Sequence, residues 1–363
     1  VSERQYWVSF SLVKGVGPVR VRQLLETFGS LKEAWHASER ALREAGIDRR
    51  TLESLVTTRR EVDPAAELAR LDKLGIAALT WDDEEYPSLL AQLRPIDQAP
   101  PLIYLRGSLA QTDEWAIAVV GTRSATAYGR QVAYQIAGEL ALDGLTIVSG
   151  LALGIDAEAH LAALENRQRT IAVLPCGLDT IYPPEHRNLV ARIIRQGAVI
   201  SPFPLGTKPL RTNFNARNRV LSGLARAVAV IEAGDKSGAL ITAGCALDQG
   251  RQVFAVPGNI TARSSTGTNR LIQDGAHPVL SAQDILEGLA LDHLPQHINA
   301  ARALPPMSAT EQAVLESLSA EPQHIDELSN HCSLPVATVS SSLVILELKG
   351  LVRQVGHMIY VRA

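Results

Sequence analysis

The feature that most constrains how this chain can fold is a repeated signal between Trp115 and Asp156. WAIAVVGTR (115–123) and LTIVSGLALGID (145–156) are each an apolar run ending in glycine where a helix should begin, with an amphipathic stretch between them. Strands written this way belong to α/β sheets that read phosphate, because a bare backbone at the strand–helix junction can present N–H groups to an anion. In a parallel sheet the two glycine ends lie side by side, so that edge is where function is expected.

The alternation continues downstream. The patterning predicts strands over 116–120, 146–149, 171–174, 198–201, 227–231 and 253–256, with 277–280 as a further candidate. Helices are expected over 128–142, 155–164, 186–195, 215–224, 239–249, 269–273 and 282–289. Together they describe an α/β, Rossmann-like, doubly wound and mostly parallel sheet over 113–290. Residues 1–62 read as a helical domain of SAM-like or helix-hairpin-helix type, with Gly15-Val16-Gly17-Pro18 between short helices. Those glycines either take a phosphate on backbone N–H groups or only permit a tight turn.

Residues 63–112 read as a connector packed on the central domain, with a short strand over 77–80. Pro87, Pro95, Pro100 and Pro101 forbid a long helix there and leave an extended segment. A polar linker over 291–306 leads to 307–363. There Ser308 and Glu311 stand at capping-box spacing, helices are expected over 310–318, 325–332 and 336–349, and strands over 351–354 and 358–362 flank Gly356. This is the pattern of a winged helix.

Charge is informative through its placement. The formal net charge of -3 gives no chain-wide affinity for polyanions, yet no Asp or Glu occurs between Arg187 and Arg226, where Arg192, Arg195, Lys208, Arg211, Arg217 and Arg219 stand. The stretch 249–273 is also acid-free and carries Arg251, Arg263 and Arg270. Such segregation implies a positive face. Cys176, Cys245 and Cys332 have neither metal nor redox spacing and read as reduced thiols. With no signal-peptide pattern and no apolar run of membrane length, a cytoplasmic protein without a membrane partner is expected.

No G-x-G-x-x-G follows the first strand and no P-loop is present, so no nucleotide cofactor or metal is expected. At the first strand end, Gly121 is followed by Thr122 and Arg123, whose guanidinium can grip a phosphate, cap a helix or pair with Asp156. Ser149 and Gly150 offer a hydroxyl and bare backbone at the second, with Asp156 expected as an N-cap. Further along, Lys208, Arg211, Phe214, Arg217, Asn218 and Arg219 set cations beside an aromatic ring, the combination that single-stranded nucleic acid uses. The same pattern also fits a packed Phe214 with Arg217 paired to an acid. Ser237 repeats the small-residue theme after the fifth strand.

Catalytic constellations are not evident. Ser149 has no local histidine, and His160 beside Glu158 reads as packing or surface. On the winged helix, Thr338, Ser340, Ser341 and Ser342 are expected on the exposed side of the recognition helix. Glu311, Glu316, Glu321, Asp326, Glu327 and Glu347 outnumber Lys349, Arg353 and Arg362. That acidity argues against duplex DNA and for protein contact or regulation.

At these residues the chain closely resembles the DprA/Smf family, DNA-processing protein A. The motifs are VGTR (120–123), SGLALGIDAEAH (149–160), GLDTIYP (177–183), FNARNRVLSGL (214–224), SGALITA (237–243), GRQVFAVPG (250–258) and GTNRLIQDGA (267–276). They follow family order across the central domain, and the flanking segments resemble the longer members. The resemblance implies a recombination mediator that binds and protects incoming single-stranded DNA, helps load RecA in natural transformation, and dimerises through the Rossmann-like domain.

Carried over by motif, the DNA-binding residues are Gly121, Arg123, Ser149, Gly150, Lys208, Arg211, Phe214, Arg217, Asn218 and Arg219, followed by Ser237 and Arg251. The sequence departs from the family at Pro202, where a glutamate is frequent, and at Pro184, where some members have lysine. The competing readings are an enzyme cleaving nucleoside monophosphates and a nucleotide sensor with the winged helix as output. Enzymes of that kind resemble P-G-G-x-G-T-x-x-E at the corresponding strand end, whereas 236–247 contains no acid.

Overall fold

The computed structural model describes residues 3–291, 308–318, 323–332, 334–348, 352–356 and 358–362. Contacts divide the chain after Gly288 into two units. The first begins with six helices, α1 (Arg4–Ser11), α2 (Pro18–Phe28), α3 (Leu31–His36), α4 (Glu39–Glu44), α5 (Arg49–Glu61) and α6 (Pro64–Lys73). Local chemistry sets their starts: Ser30, Ser38, Asp48 and Asp63 each accept a backbone N–H of the helix they precede. Phe10, Leu24, Leu31 and Leu42 are buried, each contributing about 1.5–3 kcal/mol. Exposed pairs such as Arg40–Glu44 and Arg49–Glu53 are screened by solvent and add little, so burial docks these helices.

The connector joins the sheet itself. It supplies β1 (Ala77–Thr80), the four-residue α7 (Ser88–Ala91) and β2 (Leu102–Gly107), a strand that the prolines before it concealed. Tyr104 in β2 is buried, and its hydroxyl lies 2.7 Å from Ser11 Oγ, which itself donates to the Val8 carbonyl. Tyr104 is therefore the donor that ties β2 to α1.

Then come β3 (Ala116–Val120), α8 (Ala127–Leu142), β4 (Thr146–Ser149), α9 (Ile155–Glu165), β5 (Thr170–Val173), α10 (Arg187–Gln196), β6 (Ala198–Ser201), α11 (Asn213–Gly223), β7 (Ala227–Val230), α12 (Gly238–Asp248), β8 (Gln252–Ala255), α13 (Thr266–Gln273), β9 (His277–Pro278) and α14 (Ala282–Gly288). The nine strands run β1-β2-β6-β5-β4-β3-β7-β8-β9. From β6 to β9 every pairing is parallel, while β1 and β2 are antiparallel additions. Every residue of β3 is buried because helices cover both faces, which is why its apolar run does not alternate. One core joins the N-terminal helices to α9 and α10, and another joins α7, α11 and α12 to the sheet.

The second unit contains α15 (Ala309–Ser317), β10 (Gln323–His324), α16 (Ile325–Cys332), α17 (Val336–Leu348), β11 (Val352–Gly356) and β12 (Ile359–Arg362). This winged helix has a sheet of order β10-β12-β11. Ser308 and Glu311 form the expected capping box. Ser342, expected to be exposed, is buried because it shares the inward stripe of α17 with Val339, Leu343 and Leu346; Thr338 and Ser340 are half-buried and Ser341 is exposed. The linker from residue 292 on, Glu321 and Lys349 lie outside the described residues. Cys176 and Cys245 are buried and Cys332 half-buried, all as free thiols. Among the described residues no helix is long and apolar enough to cross a membrane.

Candidate functional site

Parallel strands end together, so the loops after β3, β4, β5, β6 and β7 converge on one edge of the sheet. Gly121 is required there, since a Cβ would lie 2.5 Å from the Ile155 side chain and 2.9 Å from the Glu232 carbonyl. Thr122 N–H donates to that carbonyl at 2.7 Å. Gly154, at φ +81°, lets the loop after β4 pack directly on the backbone of Thr122 and Arg123. Leu151 holds φ +57° while fully buried, a left-handed conformation that costs of order 1 kcal/mol or more in a branched residue. Its carbonyl accepts from His186 Nδ1 at 2.8 Å.

The interior of this edge is polar and satisfied. Ser149 is buried and donates its hydroxyl to the Val119 carbonyl at 2.6 Å, so it is not presented to a ligand. Gly150 is buried as well. Its N–H donates to Asp156 Oδ2 at 3.1 Å, and its carbonyl accepts from Arg217 Nη1 at 2.5 Å. Asp156, expected as an N-cap, lies inside α9 instead; Gly154 is the N-cap, and the Asp156 carboxylate turns back into the loop. Burial pushes its carboxyl up, against the opposing Arg217 guanidinium and backbone N–H groups.

Arg217 does not project outward. It is only 5% exposed, donating to the Gly150 and Val173 carbonyls and through Nε to Asn218 Oδ1 at 3.0 Å. Burial lowers its pKa to about 10, so the guanidinium still carries its charge at neutral pH. Asn218 is buried with it. The reason is helical geometry: α11 begins at Asn213, and from that start residues 217, 218 and 221 face the sheet while 215, 216 and 219 face out.

The exposed part is a smaller set. Arg123 is exposed, and its guanidinium stands 5.1 Å from the centroid of the half-buried Phe214 ring. Arg217 approaches the same ring at 5.5 Å, and Tyr182 meets it edge-on at 6.1 Å. Lys208, Arg211 and Arg219 are exposed on and before α11. Ser237, half-buried, caps α12 by accepting Ala239 N–H at 3.3 Å. The Gly15-Val16-Gly17-Pro18 turn lines a groove of about 810 Å³ together with Phe203, Leu210 and Arg219.

Arg251 is not brought here. It precedes β8 and so lies at the opposite edge, where it donates to the Leu89 carbonyl at 3.0 Å and Gln92 Oε1 at 3.2 Å. Sequence reasoning missed Tyr182, whose position within GLDTIYP was the available signal. It also missed Glu232, a buried acid that anchors the start of α8 by accepting Thr126 N–H and Oγ–H, each at 2.9 Å. An acid directly after an apolar strand was the only clue.

The buried hydroxyl of Ser149 has no histidine partner, and His160 is committed elsewhere. Its Nδ1 lies 2.6 Å from Thr170 Oγ1, which donates to the Ile147 carbonyl, and burial lowers its pKa to about 3. Among the described residues no group of three His, Cys, Asp or Glu is placed to hold a metal ion. What the edge offers a ligand is exposed guanidinium and ammonium groups around the half-buried Phe214 ring, with Tyr182 against it.

Comparison with known proteins bears on this arrangement. The sequence model of DNA recombination-mediator protein A matches residues 77–290, and that of the DprA winged helix domain matches residues 299–356. Protein Smf of Synechocystis is 37% identical over 397 residues, covering 99% of each chain. The structure of DNA processing protein A from Streptococcus pneumoniae superposes with a TM-score of 0.67 at 34% identity, covering 78% of this chain and 97% of that one. DNA processing protein A from Helicobacter pylori, whose structure describes a unique single-stranded DNA binding mode, gives 0.53 at 32% identity over 60% of this chain and 96% of its own.

Proposed function

The chain belongs to the DNA recombination-mediator protein A (DprA/Smf) family, and we propose that it binds single-stranded DNA along the glycine-lined edge of its sheet. The observation that carries this reading is the exposed Arg123 against the half-buried Phe214 ring, with Lys208 and Arg211 exposed nearby and no acid between Arg187 and Arg226. Cations hold the phosphates and the ring offers a face for one base, without sequence preference. Arg219, exposed on α11, lines the adjoining groove with the Gly15-Val16-Gly17-Pro18 turn. Gly121, Gly150, Ser149, Arg217 and Asn218 contribute by shaping the floor of the glycine-lined edge.

Binding proceeds without covalent chemistry, and in the cytoplasm the protein protects incoming single strands and hands them to RecA during natural transformation. The description of the family as a recombination mediator supports that role. A homodimer through the Rossmann-like domain completes it, and α12 carries the exposed apolar side chains Ile241 and Leu247 that such a contact could cover. Fluorescence anisotropy with labelled oligothymidine tests the central claim: Arg123→Ala and Phe214→Ala are expected to weaken binding in a correctly folded chain. Unchanged affinity in both overturns it.

A further inference from the structure

The loop after β4 already holds an anion, and the anion is part of the chain. The N–H groups of Gly150 and Ala152 donate to Asp156 Oδ2 at 3.1 and 3.3 Å, and the Gly121 N–H, at the end of β3, also favours the charged carboxylate. N–H groups gathered from the ends of two neighbouring parallel strands, at the start of a helix, are what phosphate receives in nucleotide-binding sheets. Asp156 is itself only 5% exposed, and Arg217 closes the other side of Gly150. A Cβ at Gly150 would collide with the Arg217 guanidinium and lie 2.8 Å from Asp156 Oδ2, so the pocket has no spare room.

We infer that Asp156 is a specificity-determining residue: its carboxylate permanently occupies the phosphate cradle at the ends of β3 and β4 and denies it to inorganic phosphate and nucleoside phosphates. This deepens the reading of the edge as a polynucleotide site and rests on that reading for its consequence. With the cradle filled, phosphate can be held only by exposed side chains such as Arg123, Lys208 and Arg211. Contacts of that kind are weak singly and accumulate along a polymer, whereas a free nucleotide supplies too few. The same carboxylate neutralises Arg217, which otherwise would be a buried charge aimed at an empty cradle.

The test is thermal unfolding of the full chain at constant ionic strength, titrated with sodium phosphate, adenosine monophosphate or sodium formate, for wild type, Asp156→Gly, the isosteric Asp156→Asn, and Asp156→Gly with Arg217→Met. Formate replaces the missing carboxylate, and the two phosphates probe exclusion. Asp156→Gly is expected to gain saturable stabilisation by formate and phosphate at concentrations at least about tenfold below any effect on wild type. Asp156→Asn, which still fills the cradle, should respond as wild type does, and the double variant should lose most of the gain.

Should Asp156→Gly fold only when formate or phosphate is present, that dependence supports the inference. Failure with every anion, while the double variant folds and ignores them, overturns it. So does stabilisation of wild type by phosphate to the same extent, or a response of Asp156→Gly to formate alone. Oligothymidine binding by Arg123→Ala and Phe214→Ala separates the two readings. If neither costs affinity the DNA site falls and the cradle stands, whereas a phosphate response in wild type removes the cradle and leaves the DNA site.

Discussion

The two edges of the central sheet are made from opposite ends of the same strands and have opposite chemistry. Where β3 to β7 end, glycines bring the loops together, the buried acids Asp156 and Glu232 are taken up by partners within the chain, and Arg123, Lys208 and Arg211 stand exposed. Where they begin, a hollow of about 310 Å³ is lined by Glu84, Glu85, Asp113 and Glu114, and the local arginines are spent within the chain. Arg169 pairs with Asp113 at 2.8 Å, Arg226 lies 3.8 Å from the Trp115 ring centroid, and Arg251 holds the Leu89 carbonyl. An arginine's presence in an acid-free stretch therefore says little about its availability. What decides it is which edge it reaches and what is already there.

The contrast can be broken most severely from inside. Arg217→Ala removes a buried guanidinium that donates to the Gly150 and Val173 carbonyls and forms an electrostatic pair with Asp156, and each buried acceptor left unpaired is expected to cost about 1–3 kcal/mol of stability in urea unfolding. A variant as stable as wild type would show that the floor of the site does not depend on the pair. Phe214→Ala should reduce oligothymidine affinity by about 1–3 kcal/mol if one base stacks on the ring. A large drop in melting temperature with unaltered binding would assign the ring to the core instead.

The interior between the edges has its own signature in pH. His160 takes up a proton near pH 6.5 when unfolded but only near 3 when folded. Below about pH 6.5 the unfolded state therefore binds the extra proton, and stability should fall by about 1.4 kcal/mol per pH unit until the pH nears 3. His160→Gln should flatten the profile by one proton's worth, and an unchanged slope would show that the imidazole is charged in the fold. The mildest change is at the rim. Arg123→Ala should lower the log–log salt slope of oligothymidine binding by about 0.7 per lost phosphate contact, while Arg251→Ala should leave that slope alone. Equal effects from the two would erase the difference between the edges.

Much of this was legible beforehand. The strands over 116–120, 146–149 and 198–201 stand where the apolar runs placed them, that of 227–230 is one residue shorter, and those of 170–173 and 252–255 are shifted by one residue. Long buried runs bounded by glycine leave little choice of register. The strand over 102–107 was hidden because its pairing with β6 is a long-range event that the preceding prolines do not announce. At the site, Arg123 and Phe214 were readable as a cation beside a ring. Ser149, Arg217 and Asn218 carry ligand-binding residue types yet are buried: Ser149 ends a covered strand, and the pattern on α11 does not say which face the sheet will cover.

By itself, then, the sequence determined the class of fold, the edge at which the strands end and the supply of cations near it, since each follows from local periodicity, glycine geometry and the absence of acids. Only the tertiary structure decided who occupies the anion cradle and which arginines remain exposed. Those outcomes depend on Asp156 folding back across the loop and on Arg217 meeting Gly150 from a helix 67 residues away, contacts whose energy comes from burial and pairing that no local stretch encodes.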